Sequence, residues 1–338
     1  MSASNYISTL KHTPANWLVT GVAGFIGSHL LEALLTHNQR VVGMDNFSTG
    51  QRANLEAVKA QVSAAQWQNF TMIEGDIACF EDCQRAMHGV SCVLHQAALG
   101  SVPLSITDPL RTHQSNVTGF LNILLAARDA GVKRVVYAAS SASYGDDTAL
   151  PKQEDRLGKP LSPYAVSKTA NELYAHVFAL HYGMEPVGLR YFNVFGPRQD
   201  PNGAYAAVIP QWFAQVARGA PVFINGDGET TRDFVYIADV VQANLRAALS
   251  KNSEALNEVY NIAAGESTTL NALFASIRAA VARRTPQAAS ATPGYREFRA
   301  GDVRHSLADI SKARRLLGFA PTVSVAEGLA RTADYYSS

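Results

Sequence analysis

The chain of 338 residues is 47% hydrophobic and 17% charged, with 29 Lys plus Arg against 28 Asp plus Glu for a formal charge of +1. At roughly 150 residues per domain the length allows about two domains, and the ordinary composition excludes wholesale disorder and fibrous repeats. Near-neutral charge without a long run of one sign argues against nucleic acid and an anionic membrane surface as partners.

The cysteines, Cys79, Cys83 and Cys92, lack zinc-site spacing and are expected as free thiols in a reducing cytosol. No metal site is expected. The most apolar stretch, 18–35, carries Ser28, His29, Glu32 and three glycines, so it falls short of the roughly 20 unbroken apolar residues a bilayer requires. The N-terminal residues lack a basic region leading into an apolar core. A cytoplasmic protein is expected.

In chain order, a polar N-terminal tail precedes a short apolar strand, Trp17-Leu18-Val19-Thr20. Ile26, Leu30, Leu31 and Leu34 then recur at helical spacing. Further strands are predicted over 41–44, 70–73, 90–95 and 134–139, with helical segments between them, one over 116–130. A helix over 163–181 leads to a strand over 186–191. This alternation predicts an α/β protein built on a doubly wound, parallel, Rossmann-type sheet.

Beyond it, Gly196-Pro197, Pro201-Asn202-Gly203 and Gly226-Asp227-Gly228 interrupt the pattern. A smaller, irregular α/β domain for substrate is expected there. Residues 236–249 read as a strand and helix returning to the first domain. The expected division is therefore 1–189 plus 236–263 for the cofactor, and 190–235 plus 264–338 for the substrate. Residues 283–294, rich in Ala, Ser, Thr and Pro, read as an exposed loop.

Thr20-Gly21-Val22-Ala23-Gly24-Phe25-Ile26-Gly27 places three glycines at the first strand–helix junction. Gly21 suits the tight turn, Gly24 the approach of a pyrophosphate, and Gly27 close packing of helix on sheet. Asp45 follows Gly27 by 18 residues (45 less 27), near the ~20 at which an acid meets the adenosine ribose. Its carboxylate would accept from the ribose hydroxyls and repel a 2′-phosphate, favouring NAD. Asp76, after the third strand, can either reach the adenine amine or cap a helix.

Tyr164-Ala165-Val166-Ser167-Lys168 sets a tyrosine and a lysine at i and i+4 on one helix face. A tyrosine that acts as base near pH 7 needs its pKa lowered by about 3 units, or roughly 4 kcal/mol. A nearby ammonium acts in that direction. Ser140, with Ser141, stands at the end of the fifth strand, where ligands of such sheets bind. There it can hydrogen-bond a reacting hydroxyl and pass its proton toward Tyr164.

TGVAGFIG, DNFSTG, GDI, HQAA, SSASYG, SPYAVSK and RYFNVFGPRQDP occur in the order found in the extended short-chain dehydrogenase/reductase family. The chain resembles, within it, the UDP-hexose 4-epimerases. HQAALGSVP, DPNGAYAAVIP and GDVRHSLAD are similar to the subgroup acting on UDP-N-acetylhexosamines, the bacterial UDP-N-acetylglucosamine 4-epimerases of surface polysaccharide (lipopolysaccharide) pathways.

The resemblance implies Tyr164 as base, Lys168 on the nicotinamide ribose and Ser140 on the substrate. For NAD it also implies Gly21, Gly24, Phe25, Ile26, Gly27, Asp45, Asn46, Gly50, Asp76, Ile77, Gln96, Ala97, Ala98 and Tyr191. For a UDP-activated hexose or N-acetylhexosamine it implies Gly100, Ser101, Ser141, Asn193, Ala207, Val208, Phe223, Asn225, Arg232, Arg299, Asp302 and Ser306. Without the resemblance, Arg232 reads as a surface ion pair with its neighbour Asp233.

Small Ser306 stands where enzymes restricted to glucose and galactose can carry tyrosine, leaving room for a 2-acetamido group. Leu104 and Ala142 replace an arginine and a serine that relatives carry, which keeps a uronic-acid substrate as the alternative. A 4,6-dehydratase would need an Asp-Glu pair where Ser141 and Ala142 stand. A non-catalytic NAD-binding scaffold would tend to have lost Tyr164 or Lys168. A homodimer is implied through helices over 116–130 and 163–181, although these segments can equally pack within one chain.

Overall fold

A computed structural model of the chain describes residues 3–12, 14–202, 207–298 and 303–336. Six strands come first: β1 (Asn16–Thr20), β2 (Arg40–Asp45), β3 (Phe70–Glu74), β4 (Cys92–His95), β5 (Arg134–Ser140) and β6 (Glu185–Tyr191). Short strands follow: β7 (Asn193–Phe195), β8 (Phe223–Asn225), β9 (Thr231–Arg232), β10 (Phe234–Tyr236), β11 (Val259–Ile262), β12 (Thr268–Thr269) and β13 (Gly294–Arg296). One seven-stranded sheet runs β11-β6-β5-β4-β1-β2-β3, with every neighbouring pair parallel. The predicted doubly wound sheet is therefore present.

The order reverses beside β1, where β2 lies on one flank and β4 on the other. In such sheets the crevice at the carboxyl ends of the strands at this point is where ligands bind. β1 and β4 are buried almost throughout, as strands covered by helices on both faces should be. The helix Ile237–Leu249 packs on Phe25–Thr36 and on β5 and β6, so the chain does return to the sheet after the irregular stretch.

Three expectations need correction. The N-terminal tail contains a helix, Ala3–His12, that buries Leu10. Buried Gln39 donates to the Leu10 and His37 carbonyls and accepts from the Ala15 amide and the Trp17 indole, tying that helix down. The helical stretch expected from 116 begins at Pro109 behind an Asp108 cap, and passes through a π-helical turn, Gln114–Thr118, before Gly119–Asp129. Residues 283–294 are not simply an exposed loop, because a 3-10 turn, Pro286–Ser290, buries Ala288. Among the described residues, no helix is long and apolar enough to cross a membrane.

Candidate active site

The groove at the switch point is lined by Gly21, Gly24, Phe25, Ile26, Gly27, Asp45, Asn46, Gly50, Ile77, Gln96, Ala97 and Ala98, together with Met44, Ser48, Thr49, Gly75, Gly100 and Ser115. Gly21 adopts φ +67°, the left-handed turn expected of the first glycine. A Cβ on Gly27 would lie 2.0 Å from the Gly21 carbonyl oxygen, so the third glycine is the one that permits close packing.

The helix Phe25–Thr36 begins at Gly24 with no side-chain cap. Its first amides, those of Phe25, Ile26 and Gly27, line the groove, and a helix N-terminus of this kind suits a diphosphate. The residues present thus fit a dinucleotide.

Asp45 is buried at the end of β2. Its Oδ2 accepts the Ala23 amide at 2.9 Å and its Oδ1 the Phe47 amide at 2.8 Å. It therefore braces the glycine turn as well as facing the groove. Burial raises its pKa, while the two amides act in the opposite direction. Asp76 does not cap the next helix: it accepts from Asn46 Nδ2 at 2.9 Å and from the Ala78 amide at 2.8 Å, at the groove's margin. The Tyr191 hydroxyl accepts from Asn244 Nδ2 at 2.8 Å and donates to Gln96 Oε1 at 3.1 Å, holding a residue of the groove wall.

A second cavity, of about 460 Å³, lies beside the helix Pro163–Tyr182. Ser141, Asn193, Arg232 and Ser306 share its wall with Ala142, Tyr144, Lys152, Ser162, Ala165 and Phe192. Tyr164 follows Ser162 and precedes Ala165, in the first turn of that helix, and the Ser140 hydroxyl acts to lower its phenol's pKa. Lys168, one turn further, is buried and donates to the Ala138 carbonyl at 2.9 Å, with its Nζ 5.9 Å from the Tyr164 ring centre. A buried bidentate pair between Glu172 and Arg190 of β6, at 2.9 and 2.7 Å, fixes the same helix against the sheet.

Burial pushes the Tyr164 phenol above its ordinary value, and the group that offsets this is the Ser140 hydroxyl, not Lys168. Lys168 itself is pushed down to about 8 by burial.

That shift has a sign that can be tested. A lysine whose folded pKa lies below its unfolded value binds fewer protons when folded between about pH 8 and 10.4, so its destabilising contribution, present below pH 8, fades as pH rises through that window. Lys168→Met, measured without bound dinucleotide, should be more stable than wild type at pH 7, by on the order of 3 kcal/mol. Chemical denaturation should show the gap closing toward pH 10; a gap independent of pH would refute the assignment.

Other expected residues fall elsewhere. Gly100 lines the cofactor groove rather than the second cavity. The Ser101 hydroxyl caps the helix Val102–Thr107 by accepting the Leu104 amide at 3.1 Å. Ala207 and Val208 open the helix Val208–Ala217. Phe223 and Asn225 lie on β8, paired with β13, where the Arg296 guanidinium stacks 3.5 Å over the Phe223 ring. Arg299 and Asp302 lie outside the described residues. Arg232 donates to the Thr231 carbonyl at 2.8 Å. Asp233 does not form the surface ion pair; it is wholly buried and accepts backbone amides.

Two positioning groups were missed from sequence. Asn116, in the π turn, accepts the Leu99 amide at 2.8 Å and donates to the Leu99 carbonyl at 3.1 Å and to Ser167 Oγ at 3.0 Å, joining the groove wall to the Tyr164 helix. The Thr20 hydroxyl lies 2.8 Å from His95 Nδ1 and accepts the Gln96 and Ala97 amides at 3.2 Å.

A glycine-turn groove for a dinucleotide, with a serine, tyrosine and lysine next to the lining of a second pocket, defines a nucleotide-dependent enzyme that moves hydride and proton at a carbinol carbon. Residues 17–263 match the model of the NAD dependent epimerase/dehydratase family, and the chain belongs to that family.

The UDP-glucose 4-epimerase of Mycolicibacterium smegmatis is 36% identical over 321 residues, 94% of this chain and 97% of that protein. The UDP-glucuronate 4-epimerase of Thermodesulfobacterium geofontis is 31% identical over 322 residues, covering 94% and 95%. The solved structure of a UDP-N-acetylglucosamine 4-epimerase from Methanobrevibacter ruminantium, in complex with UDP-N-acetylmuramic acid, is 38% identical with a TM-score of 0.86, covering 96% of this chain and 98% of that one.

Proposed function

We propose that this chain is an NAD-dependent UDP-hexose 4-epimerase that interconverts UDP-N-acetylglucosamine and UDP-N-acetylgalactosamine. The observation that carries the reading is the Ser140–Tyr164–Lys168 group, whose neighbours Ser141, Ser162 and Ala165 line a cavity walled also by Asn193, Arg232 and Ser306, on a chain that carries a dinucleotide groove. When bound, NAD supplies a hydride acceptor that takes the hydrogen of the sugar C4 and gives it back. Tyr164 Oη receives the O4 proton as the carbonyl forms and returns it once the sugar has presented its other face. Ser140 holds that oxygen and relays the proton; Lys168 holds the nicotinamide ribose.

Arg232 would offset charge on the diphosphate and Asn193 would hold the nucleotide end. In this assignment residues 1–189 with 236–263 bind NAD, and 190–235 with 264–338 bind the UDP-sugar.

Two observations favour a neutral sugar and simple epimerisation. Lys152, one of the cations lining the cavity, is already paired with Asp147 Oδ2 at 3.3 Å, both side chains being buried, so its charge is not spare for a uronate. No carboxylate stands among the described residues lining the cavity, so the acid and base needed for dehydration are missing there.

Ser306 supports acceptance of the acetamido group. Ser306→Tyr should reduce kcat/KM for UDP-GlcNAc about 100-fold or more while leaving UDP-Glc within about fivefold. Equal losses on both sugars would remove Ser306 from the specificity argument.

We also infer a homodimer. Val166, Leu173, Val177 and Leu180 form an exposed apolar stripe on the helix Pro163–Tyr182, and Leu110 is exposed nearby on an adjacent helix. Light scattering should return twice the 36.3 kDa chain mass, and a monomer at micromolar concentration would overturn it.

A further inference from the structure

Asp233 has no solvent exposure, and the chemistry above makes no use of its side chain. It lies between Arg232, which lines the sugar cavity, and Phe234, which starts β10. Its Oδ1 accepts the Ala264 amide at 2.9 Å; its Oδ2 accepts the Gly265 amide at 3.1 Å and the Ala308 amide at 3.2 Å.

The backbone carbonyl of Asp233 accepts from Asn193 twice, from the amide at 3.2 Å and from Nδ2 at 3.0 Å. The Ser306 amide donates to the neighbouring Thr231 carbonyl at 3.2 Å. Residues 231–233 thus contact the segments carrying Asn193 and Ser306, which are far apart in sequence and share the cavity wall with Arg232.

We propose that Asp233 is a positioning residue for the substrate: its carboxylate ties the Arg232 segment to 264–265 and, at Ala308, to the segment carrying Ser306, while its backbone carbonyl holds Asn193, so that a UDP-sugar meets a preformed site. This rests on the UDP-sugar reading above. A carboxylate suits the task because it is acceptor-only, whereas an amide would turn N–H groups toward N–H groups. The adjacency to Arg232 also matters. Successive side chains of an extended segment point to opposite sides, so anchoring the carboxylate inward fixes the direction in which the guanidinium leaves.

The test is Asp233→Asn in the holoenzyme, with calorimetric titration of UDP, steady-state kinetics and a count of bound NAD. The dissociation constant for UDP and the KM for the UDP-sugar should rise about 10- to 100-fold, with kcat within about threefold of wild type and NAD content unchanged. A purely structural carboxylate would instead lose activity in step with thermal stability and leave KM alone. Leu329→Ala, a core change in the C-terminal helix, supplies that reference.

Unchanged UDP affinity in a folded Asp233→Asn protein overturns the inference while leaving the UDP-sugar reading standing. A wild-type holoenzyme that fails to bind UDP overturns both. If the variant does not fold, hydrogen exchange in the wild-type holoenzyme decides. UDP should slow exchange of the Ala264, Gly265 and Ala308 amides about 10-fold or more, and exchange there that ignores UDP overturns the inference.

Discussion

Tyr164→Phe should lower the rate of epimerisation by about three to four orders of magnitude while the protein keeps its fold and its NAD. The substitution removes one oxygen. Tyr164 lies in the first turn of the helix Pro163–Tyr182, which Ser162 caps by accepting the Ala165 amide at 3.1 Å, and the Glu172–Arg190 pair holds that helix from further along. Neither contact involves the phenol. What is lost is the atom that takes the proton, and Ser140 cannot replace it because an aliphatic hydroxyl is far too weak an acid and base. Single-turnover kinetics together with NAD content of the purified variant check this; activity within tenfold of wild type would remove Tyr164 from the chemistry.

Gly27→Ala should give a protein that has lost its dinucleotide and several degrees of thermal stability. The added Cβ would stand 2.0 Å from the Gly21 oxygen, 2.7 Å from the Gly21 carbonyl carbon and 2.9 Å from the Val22 Cα. All three are backbone atoms, so no side chain can swing away. The helix must shift off the turn, at a cost of about 3 kcal/mol on the scale of overpacked cores. Moving it displaces the Phe25, Ile26 and Gly27 amides from the groove they line.

Gly24 gives the internal contrast: a Cβ there meets only the Gly21 oxygen, at 3.1 Å. Gly24→Ala should therefore retain much of the fold, its cost falling on the dinucleotide. Calorimetry and the absorbance of bound cofactor separate the two cases, and a Gly27→Ala protein that retains NAD and wild-type melting would refute the packing argument.

The parts of the fold legible in the sequence were those written in contiguous residues. The glycine turn, the strand before it and the Tyr164–Lys168 spacing each depend on neighbours within one or two turns, so their pattern survives without tertiary information. The helix Ala3–His12 was not legible, because Leu10 is buried in a core built from distant elements, its helix packing on Ile237–Leu249 and its carbonyl accepting from Gln39. The early start at Pro109 was legible in principle, since Asp108 followed by proline is a helix-start signal.

Asp233 misled for a definite reason. Adjacency in sequence suggested an ion pair with Arg232, but in extended chain adjacent side chains diverge, one reaching the buried amides and the other the cavity. The Tyr164 environment was legible only in part. Charge spacing along a helix is visible in sequence, whereas the burial that raises the phenol's pKa is a property of everything packed around it.

The most direct measurement is to incubate the purified protein, with no nicotinamide added, separately with UDP-GlcNAc and UDP-Glc and to follow the anomeric proton signals. Conversion of UDP-GlcNAc to its galacto epimer at catalytic protein concentration is the predicted result, because the hydride is returned in every cycle and the resident NAD suffices. Failure to convert either sugar by a protein shown to carry NAD, or conversion that consumes added NAD mole for mole, would contradict the proposed chemistry.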